Sequence, residues 1–310
     1  MKTRLLHPPV GVGEMVDILR SGGLAGLPTE TVYGLAANAL DSLAVASIFS
    51  AKDRPLSDPL IVHLPGLDWL ERLAVAGPLA LLLARSFWPG PLTMVLPRSA
   101  LVPDLLTAGQ DSVALRMSAH PLFQDVIERL DLPLAAPSAN RFGRISPTSA
   151  THVLEELDGR IDAVLDGGPC LHGVESTIVE VTGDTLRILR HGPVTQEQLA
   201  EIAPLDEKVS STLAPGGLKS HYAPQTRLVI ESNPRPLSPR TGLLAWSRDP
   251  GGFAMTEILS SSCDVREAAT NLYGAMRRLD AAGLDLIVAE PVPDSGIGKA
   301  VMERLRKAAA

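Results

Sequence analysis

Apolar residues in the first two hundred positions alternate between helical spacing and short continuous runs. Helical spacing covers residues 12–20, 41–49, 67–73, 78–87, 121–130, 148–157 and 195–202. Short apolar runs predict strands at 24–27, 60–64, 92–96, 112–117, 134–136 and 163–165, and a hairpin over 177–181 and 185–189. Because strands and helices alternate, we expect residues 1–202 to form one α/β unit.

The rest of the chain divides into a linker and a second unit. Residues 203–225 lack periodicity and are rich in proline, glycine and serine, which is typical of a linker. Residues 226–310 resume the alternation, with strands predicted at 227–230, 242–246 and 284–289 and a last helix at 299–308. The strongest helix begins at Asp264, where Glu267 completes a capping-box pattern, and ends at Gly283. This pattern predicts a small, mainly parallel α/β domain.

Composition narrows the class of protein. The 310 residues are 45% hydrophobic and 20% charged, as in globular proteins, and no apolar run approaches the roughly 20 residues that cross a bilayer. Residues 1–9 have no long apolar core, so we expect no secretory signal there. Cys170 and Cys263 have no metal-ligand spacing and are predicted to be free thiols in a reducing cytoplasm. The net charge of −7 disfavours strong non-specific binding to nucleic acid.

Common catalytic motifs are absent from the sequence. It contains no P-loop, no complete dinucleotide fingerprint, no G-x-S-x-G and no HExxH, so a covalent serine or cysteine nucleophile has no support. Polar side chains collect instead at predicted strand ends and loops. They are Thr29, Glu30, Thr31, Lys52, Arg54, Asp58, His63, Ser112, Arg116, Ser138, Asn140, Ser146, Glu175, Ser176, Thr177 and Arg190. Taken singly, each has a structural explanation, such as turn formation or a strand-edge charge.

Residues 51–63 concentrate these features. Pro55 and Pro59 disfavour helix, so we expect a rigid loop that presents Lys52 and Arg54 as exposed cations ahead of the strand that carries His63. Cations combined with many hydroxyls suit a phosphorylated ligand and a carboxylate, because arginine binds both oxyanions with paired hydrogen bonds. The whole set favours electrostatic stabilisation of phosphoryl or nucleotidyl transfer over acid–base hydrolysis.

Four ordered motifs and the linker resemble the YrdC-like family, in its two-domain form. The motifs are residues 28–35 (PTETVYGL), Lys52-x-Arg54, Ser138-x-Asn140 and residues 173–179 (GVESTIV), and the linker contains residues 221–224 (HYAP). The resemblance covers essentially the full length. It implies a mixed α/β fold: a twisted sheet around a large, concave, positively charged cavity, followed by a smaller Rossmann-like α/β domain.

The resemblance also implies an activity. It is that of a nucleotidyltransferase, which condenses L-threonine, bicarbonate (or CO2) and ATP into threonylcarbamoyl-adenylate and releases pyrophosphate. The product would pass to a tRNA threonylcarbamoyl transferase complex, which modifies tRNA next to the anticodon, and weak contact with tRNA itself is conceivable. Mg²⁺ would enter with ATP, with no ligand from protein side chains.

Residue roles follow from the same resemblance. Lys52 and Arg54 are the expected catalytic cations. The residues expected to bind threonine are Thr31, His63, Arg116, Ala136 and Ser176. Those expected to bind ATP are Lys52, Arg54, Asp58, Ser112, Ser138, Asn140, Ser146, Arg190 and Tyr222. The linker is expected to act as a lid, with Tyr222 closing over the nucleotide.

Two departures and two alternatives remain at this stage. Residues 217–220 (GLKS) replace a more basic family pattern, and His191 replaces a proline. One alternative is carbamoyl-adenylate formation, as in the YrdC-like module of hydrogenase-maturation proteins; the presence of only two cysteines argues against their zinc-binding unit. The other is an RNA-binding module, which the acidic composition and few aromatic residues disfavour.

Overall fold

The computed structural model describes residues 2–206 and 222–310. In the first unit the strands are β1 (Arg4–Leu6), β2 (Ala25–Leu27), β3 (Gly34–Asn38), β4 (Ile61–His63), β5 (Leu92–Pro97), β6 (Ser112–Arg116), β7 (Leu134–Ala135), β8 (Ala163–Leu165), β9 (Thr177–Thr182) and β10 (Thr185–Arg190). The helices are α1 (Val10–Arg20), α2 (Ser42–Lys52), α3 (Asp68–Leu73), α4 (Pro78–Phe87), α5 (Asp104–Thr107), α6 (Pro121–Leu130), α7 (Ala150–Leu157) and α8 (Gln196–Ala200). The mixed α/β class expected from the sequence is confirmed.

The strands form one ten-stranded mixed sheet in the order β1-β8-β2-β3-β7-β4-β6-β5-β9-β10. Strands β4 and β6 run parallel near its centre, and their register places His63 opposite Arg116. Strand β9 pairs in parallel with β5 and forms the expected antiparallel hairpin with β10. Residues distant in sequence therefore meet at the ends of neighbouring central strands.

Helix α2 corrects one expectation about residues 51–63. The carboxylate of Asp41 accepts hydrogen bonds from the amides of Leu43 and Ala44, which caps the helix as predicted. The helix continues through Lys52 and ends at Asp53, which has a φ of 53°. Lys52 thus belongs to a helical turn and is buried, so the prediction of an exposed loop cation was wrong for this residue.

The second unit contains β11 (Leu228–Ile230), β12 (Thr241–Ala245), β13 (Met255–Ile258), α9 (Val265–Ala281), β14 (Leu286–Ala289) and α10 (Gly298–Ala308). Its four strands are all parallel, in the order β11-β14-β12-β13, as the alternation predicts. Asp264 caps α9 through the Arg266 amide, but Glu267 does not complete a capping box. Its carboxylate accepts hydrogen bonds from the hydroxyls of Ser260 and Ser262.

The two units share a hydrophobic cluster. Val32, Ile145 and Val174 of the first unit are buried in one cluster with residues of α9 and α10. Gly173 lies against α9 so closely that a Cβ there would sit 2.4 Å from the Ala269 carbonyl oxygen. This packing places the second unit directly over the motif of residues 173–179. Among the described residues, no helix is long and apolar enough to span a membrane.

Candidate active site

One cavity gathers most of the residues singled out in the sequence. It is lined by Thr29, Thr31, Val32, Gly34, Arg54, Ile61, His63, Arg116, Ala136, Pro137, Ser138, Glu175, Ser176, Arg190 and Tyr222. Its volume is only about 40 Å³, with Tyr222 forming part of the wall. Lys52, Asp58, Ser112, Asn140 and Ser146, also predicted for the site, do not line this cavity.

Arg116 at the end of β6 is held by a buried carboxylate. Its Nη2 atom lies 2.7 Å from Glu30 Oε1, and its Nε donates to the Gly90 carbonyl oxygen at 3.3 Å. The Ser118 hydroxyl donates to the other Glu30 oxygen at 2.5 Å. Burial alone would raise the pKa of Glu30, but the charge of Arg116 and the Ser118 hydrogen bond outweigh it and lower the pKa to about 2. Glu30 is therefore ionised, and the pair fixes the Arg116 guanidinium.

His63 lies beside Arg116 as a neutral imidazole. Burial, followed by the charge of Arg116, lowers the pKa of His63 to about 3. Its ring packs against Phe123 with centroids 4.7 Å apart. Within the described part of the chain, Nδ1 of His63 has no hydrogen-bond partner although it is buried. A buried polar atom of this kind at a cavity wall is free to bind a ligand group.

Arg54 lines the cavity from the segment that follows α2. Its Nη2 atom lies 3.0 Å from the Asp58 carboxylate and 2.8 Å from the Pro59 carbonyl oxygen. The residue is 8% exposed, so the expectation of a well-exposed cation was wrong. Burial raises the pKa of Asp58, while the charge of Arg54 opposes that effect. Asp58 thus acts on the cavity through Arg54.

Lys52 supports the loop that carries Ser138 and Asn140. Its Nζ atom donates to the carbonyl oxygens of both residues at 2.5 Å. Burial, followed by the charge of Arg54, lowers the pKa of Lys52 well below its usual range. The side-chain amide of Asn140 donates to the carbonyl oxygens of Arg141 and Arg144 and closes the same loop. Lys52 and Asn140 therefore set the position of Ser138 in the cavity wall.

Ser176 and Arg190 form a second fixed pair. The Arg190 Nε donates to the Ser176 carbonyl oxygen and its Nη2 to the Ser176 hydroxyl, both at 3.0 Å. The same hydroxyl lies 2.8 Å from Thr93 Oγ1. Ser112 lies apart, at the start of β6 opposite Pro97. Its predicted contact with nucleotide is not supported by the lining of this cavity and stays a prediction.

Glu175 connects the cavity to the second unit. Sequence reasoning did not identify this connection. Its carboxylate accepts hydrogen bonds from Ser146 at 2.5 Å, from the Tyr273 hydroxyl at 3.0 and 3.1 Å and from Arg304 Nε at 2.8 Å. Burial raises the pKa of Glu175, but the charges of Arg304 and Arg190 and the Ser146 hydrogen bond lower it to about 2. Glu175 stood inside a recognised motif, whereas nothing local marks Tyr273 or Arg304.

Tyr222 is described, whereas residues 207–221 of the predicted lid (residues 203–225) lie outside the described residues. The Tyr222 side chain is 1% exposed and its φ is 63°. Its ring stacks on Tyr273 with centroids 6.0 Å apart, and the Arg304 guanidinium carbon lies 5.3 Å from its centroid. Burial raises the pKa of Tyr222 to about 12, so its hydroxyl stays protonated.

Among residues 2–206 and 222–310, no group of three His, Cys, Asp or Glu side chains could hold a metal ion. Cys170 is buried and Cys263 exposed, and both are free thiols as expected.

Comparison with known proteins decides the family. Residues 17–192 match the model of the Sua5–YciO–YrdC family, described as "Telomere recombination", and residues 194–310 match "Threonylcarbamoyl-AMP synthase, C-terminal domain". The chain belongs to the YrdC-like family in its two-domain form. The YrdC-like assignment made from the motifs is thereby confirmed.

Relatives in the YrdC-like family match over nearly the whole chain. The threonylcarbamoyl-AMP synthase of Pyrococcus abyssi is 42% identical over 94% of this chain and 91% of its own length. That of Bacillus subtilis is 40% identical over 96% and 92%. The structure of P. abyssi Sua5 complexed with L-threonine covers 100% of this chain and 98% of its own, at 38% identity and a TM-score of 0.91. The similarity supports an enzyme.

Proposed function

We propose that this protein condenses L-threonine, bicarbonate (or CO2) and ATP into threonylcarbamoyl-adenylate and pyrophosphate. The observation that carries the proposal is a single cavity lined by three fixed guanidinium groups, those of Arg54, Arg116 and Arg190, and by several hydroxyls. Three arginines suit a ligand set with several phosphates and a carboxylate. The named activity of the full-length relatives supports the same reaction.

Threonine is proposed to bind at the Arg116 end. Arg116 is oriented by Glu30 and keeps guanidinium nitrogens that can reach the substrate carboxylate. The neutral His63 and the Thr31 hydroxyl line the cavity nearby and suit the polar groups of the amino acid. Ala136, next to strand β7, offers backbone atoms, and Ser176 a hydroxyl. A neutral histidine matters here, because an imidazolium would compete with Arg116 for the carboxylate.

The phosphates of ATP are proposed to bind at the Arg54 end. Arg54, Ser138 and Arg190 line that part of the cavity, and Lys52 and Asn140 hold the Ser138 loop. We therefore propose Arg54 as the cation in direct contact with phosphate and Lys52 as the residue that positions the loop. Asp58 and Ser146 then act through Arg54 and Glu175. The full predicted ATP set, including Ser112, stays a prediction.

The reaction needs no protein nucleophile. The amine nitrogen of threonine forms a bond to the carbon of bicarbonate, and one C–O bond of bicarbonate breaks as water leaves; with CO2 the amine adds directly and loses a proton. A carbamate oxygen of the resulting N-carboxythreonine then forms the new bond to the α-phosphorus of ATP. The bond between that phosphorus and the bridging oxygen to the β-phosphate breaks, and pyrophosphate leaves with the electron pair. Fixed guanidinium groups stabilise the negative charge that grows on the leaving oxygen. Burial of the site excludes water, which would hydrolyse both labile species.

Mg²⁺ fits this site as a companion of ATP. Of the carboxylates around the cavity in the described residues, Glu30, Asp58 and Glu175 are each held by an arginine. We therefore expect phosphate oxygens of ATP, and not protein carboxylates, to bind Mg²⁺. When bound, the metal would neutralise part of the phosphate charge. We propose that the protein works in the cytoplasm and that its product serves a tRNA threonylcarbamoyl transferase complex.

Release of pyrophosphate from ATP tests the proposal. The purified protein is expected to release pyrophosphate only when threonine, bicarbonate and Mg²⁺ are all present, and to form an adenylate with the mass of threonylcarbamoyl-AMP. Release that is independent of threonine would overturn the proposal. Tight, salt-sensitive RNA binding without adenylate formation would support an RNA-binding module.

A further inference from the structure

The second unit reaches the cavity through two side chains, Tyr273 on α9 and Arg304 on α10. Both donate hydrogen bonds to the carboxylate of Glu175, which lines the cavity. The next residue, Ser176, carries the hydroxyl and carbonyl that hold Arg190. A shift of Glu175 would therefore move both groups in the cavity wall.

The same two side chains also surround Tyr222. The ring of Tyr222 stacks on the ring of Tyr273 with an interplanar angle of 27°. The guanidinium carbon of Arg304 lies 5.3 Å from the centroid of the Tyr222 ring, a distance suited to a cation–π contact. Tyr222 has a left-handed backbone conformation, which is unfavourable for a residue with a bulky side chain. Such a conformation persists only where the surroundings hold it. Tyr273 and Arg304 are two of the groups that surround Tyr222.

We propose that Tyr273 and Arg304 are positioning residues for the adenylate-forming site, acting through Glu175 and Tyr222. Neither residue lines the cavity. They couple the docking of the second unit to the alignment of Ser176 and Arg190 and to the position of Tyr222 in the cavity wall. The inference rests on the proposed function and assigns the second unit a role in turnover.

Tyr273→Phe is the sharpest test, because it removes one hydroxyl and keeps the ring that stacks on Tyr222. Misalignment of a site by about 1 Å costs up to roughly hundredfold in rate, so we expect kcat to fall by tenfold or more. Dissociation constants for threonine and ATP, measured by calorimetry without turnover, should stay within about twofold of wild type. Thr270→Val is the matched control, since it removes another hydrogen bond from α9 to the first unit, to the Leu171 carbonyl oxygen.

Arg304→Lys tests the second residue without removing its charge. We expect kcat to fall by at least tenfold, because an ammonium cannot keep both the Glu175 hydrogen bond and the contact with the Tyr222 ring. Arg306→Lys, on the same helix in an exposed pair with Asp294, should match wild type. If Arg304→Lys lowers stability, the assay is repeated at a temperature where far-ultraviolet circular dichroism shows it folded.

The possible outcomes are distinct. Wild-type kcat in Tyr273→Phe and in folded Arg304→Lys would overturn the inference. Equal loss of activity in Tyr273→Phe and Thr270→Val would do the same, because it would reduce both residues to general interface contacts. Failure of the wild-type protein to release pyrophosphate in a threonine-dependent way would instead refute the proposed function.

Discussion

The Nη2 atom of Arg116 lies 2.7 Å from Glu30 Oε1, with both side chains buried at one end of the cavity. The proposed threonine-binding guanidinium is therefore already paired with a carboxylate of the protein. An arginine has five N–H donors, so the pair leaves donors for a second carboxylate while fixing the plane of the fork. The fixed guanidinium therefore favours a ligand carboxylate that has the right orientation as well as the right charge.

Substitution of Arg116 should change the affinity for threonine much more than the affinity for ATP. Arg116→Lys keeps the charge opposite Glu30 but loses the planar fork, so we expect threonine affinity to fall by about tenfold or more and ATP affinity to change little. Calorimetric titrations with each ligand measure both effects. Arg98→Lys, in an ion pair with Asp104 outside the cavity, serves as the control. Equal losses of both affinities would argue for a different role.

Arg54→Ala should abolish turnover, but it should also destabilise the protein. Removing Arg54 leaves Asp58 buried without its partner, which typically costs about 3–5 kcal/mol. The double variant Arg54→Gln with Asp58→Asn removes both charges and should regain much of that stability while remaining inactive. Urea unfolding and pyrophosphate release check the two parts. Wild-type activity in the double variant would exclude Arg54 as the phosphate ligand.

Lys52 should matter through the loop that it holds. Lys52→Met removes both hydrogen bonds to the carbonyls of Ser138 and Asn140, and we expect weaker ATP binding and a lower kcat. Lys52→Arg should not rescue activity, because the side chain lies in a fully buried site with no room for the larger group. Steady-state kinetics with varied ATP measure the effect. Full rescue by arginine would indicate that charge alone is required.

Acid should destabilise the protein over a definite range of pH. The folded-state pKa of Glu30 and of Glu175 is about 2, below the ordinary value of 4.5. Since the unfolded chain binds protons more readily, this contribution is complete above pH 4.5 and is lost as the pH falls towards 2. Urea midpoints at pH 5, 4 and 3 should fall in that order. In Glu30→Gln the fall should be shallower than in wild type.

His63 should remain neutral at every pH at which the enzyme is assayed. Its pKa of about 3 lies below the ordinary 6.5, because burial and the charge of Arg116 disfavour the imidazolium. We expect the ring proton resonances of His63 in NMR spectra to stay constant from pH 8 to pH 5. A His63 titration near pH 6.5 would contradict the buried, neutral assignment.

The elements with strong local signals could be predicted from the sequence. Helices α4 and α6 have the predicted bounds, because each starts with a proline in its first turn and carries an apolar face. Strands β3 and β13 were missed because they are short and carry small or polar residues, so their pairing depends on neighbouring strands. Lys52 was assigned to a loop because Pro55 suggested an earlier helix end.

The candidate site likewise contains residues that could be identified from the sequence and residues that could not. Arg54 and Ser138 could be named because they lie in short motifs that resemble a known family, and Arg116 because it is a cation near the end of a predicted strand. The donors to Glu175 from the second unit could not, since Tyr273 and Arg304 are separated from it by 98 and 129 positions. Only the folded chain brings them together, and no local spacing encodes that contact. The role of the second unit is therefore a property of tertiary packing.

The cluster formed by Val32, Ile145 and Val174 with α9 and α10 has a consequence during protein synthesis. The ribosome releases the first unit before the two helices that cover these side chains exist. Until the last residues emerge, the nascent chain presents an apolar face to solvent, next to the future catalytic cavity. Such a surface is a natural target for chaperones and a starting point for aggregation. Translation that stops before α9 would therefore yield an inactive and poorly soluble fragment.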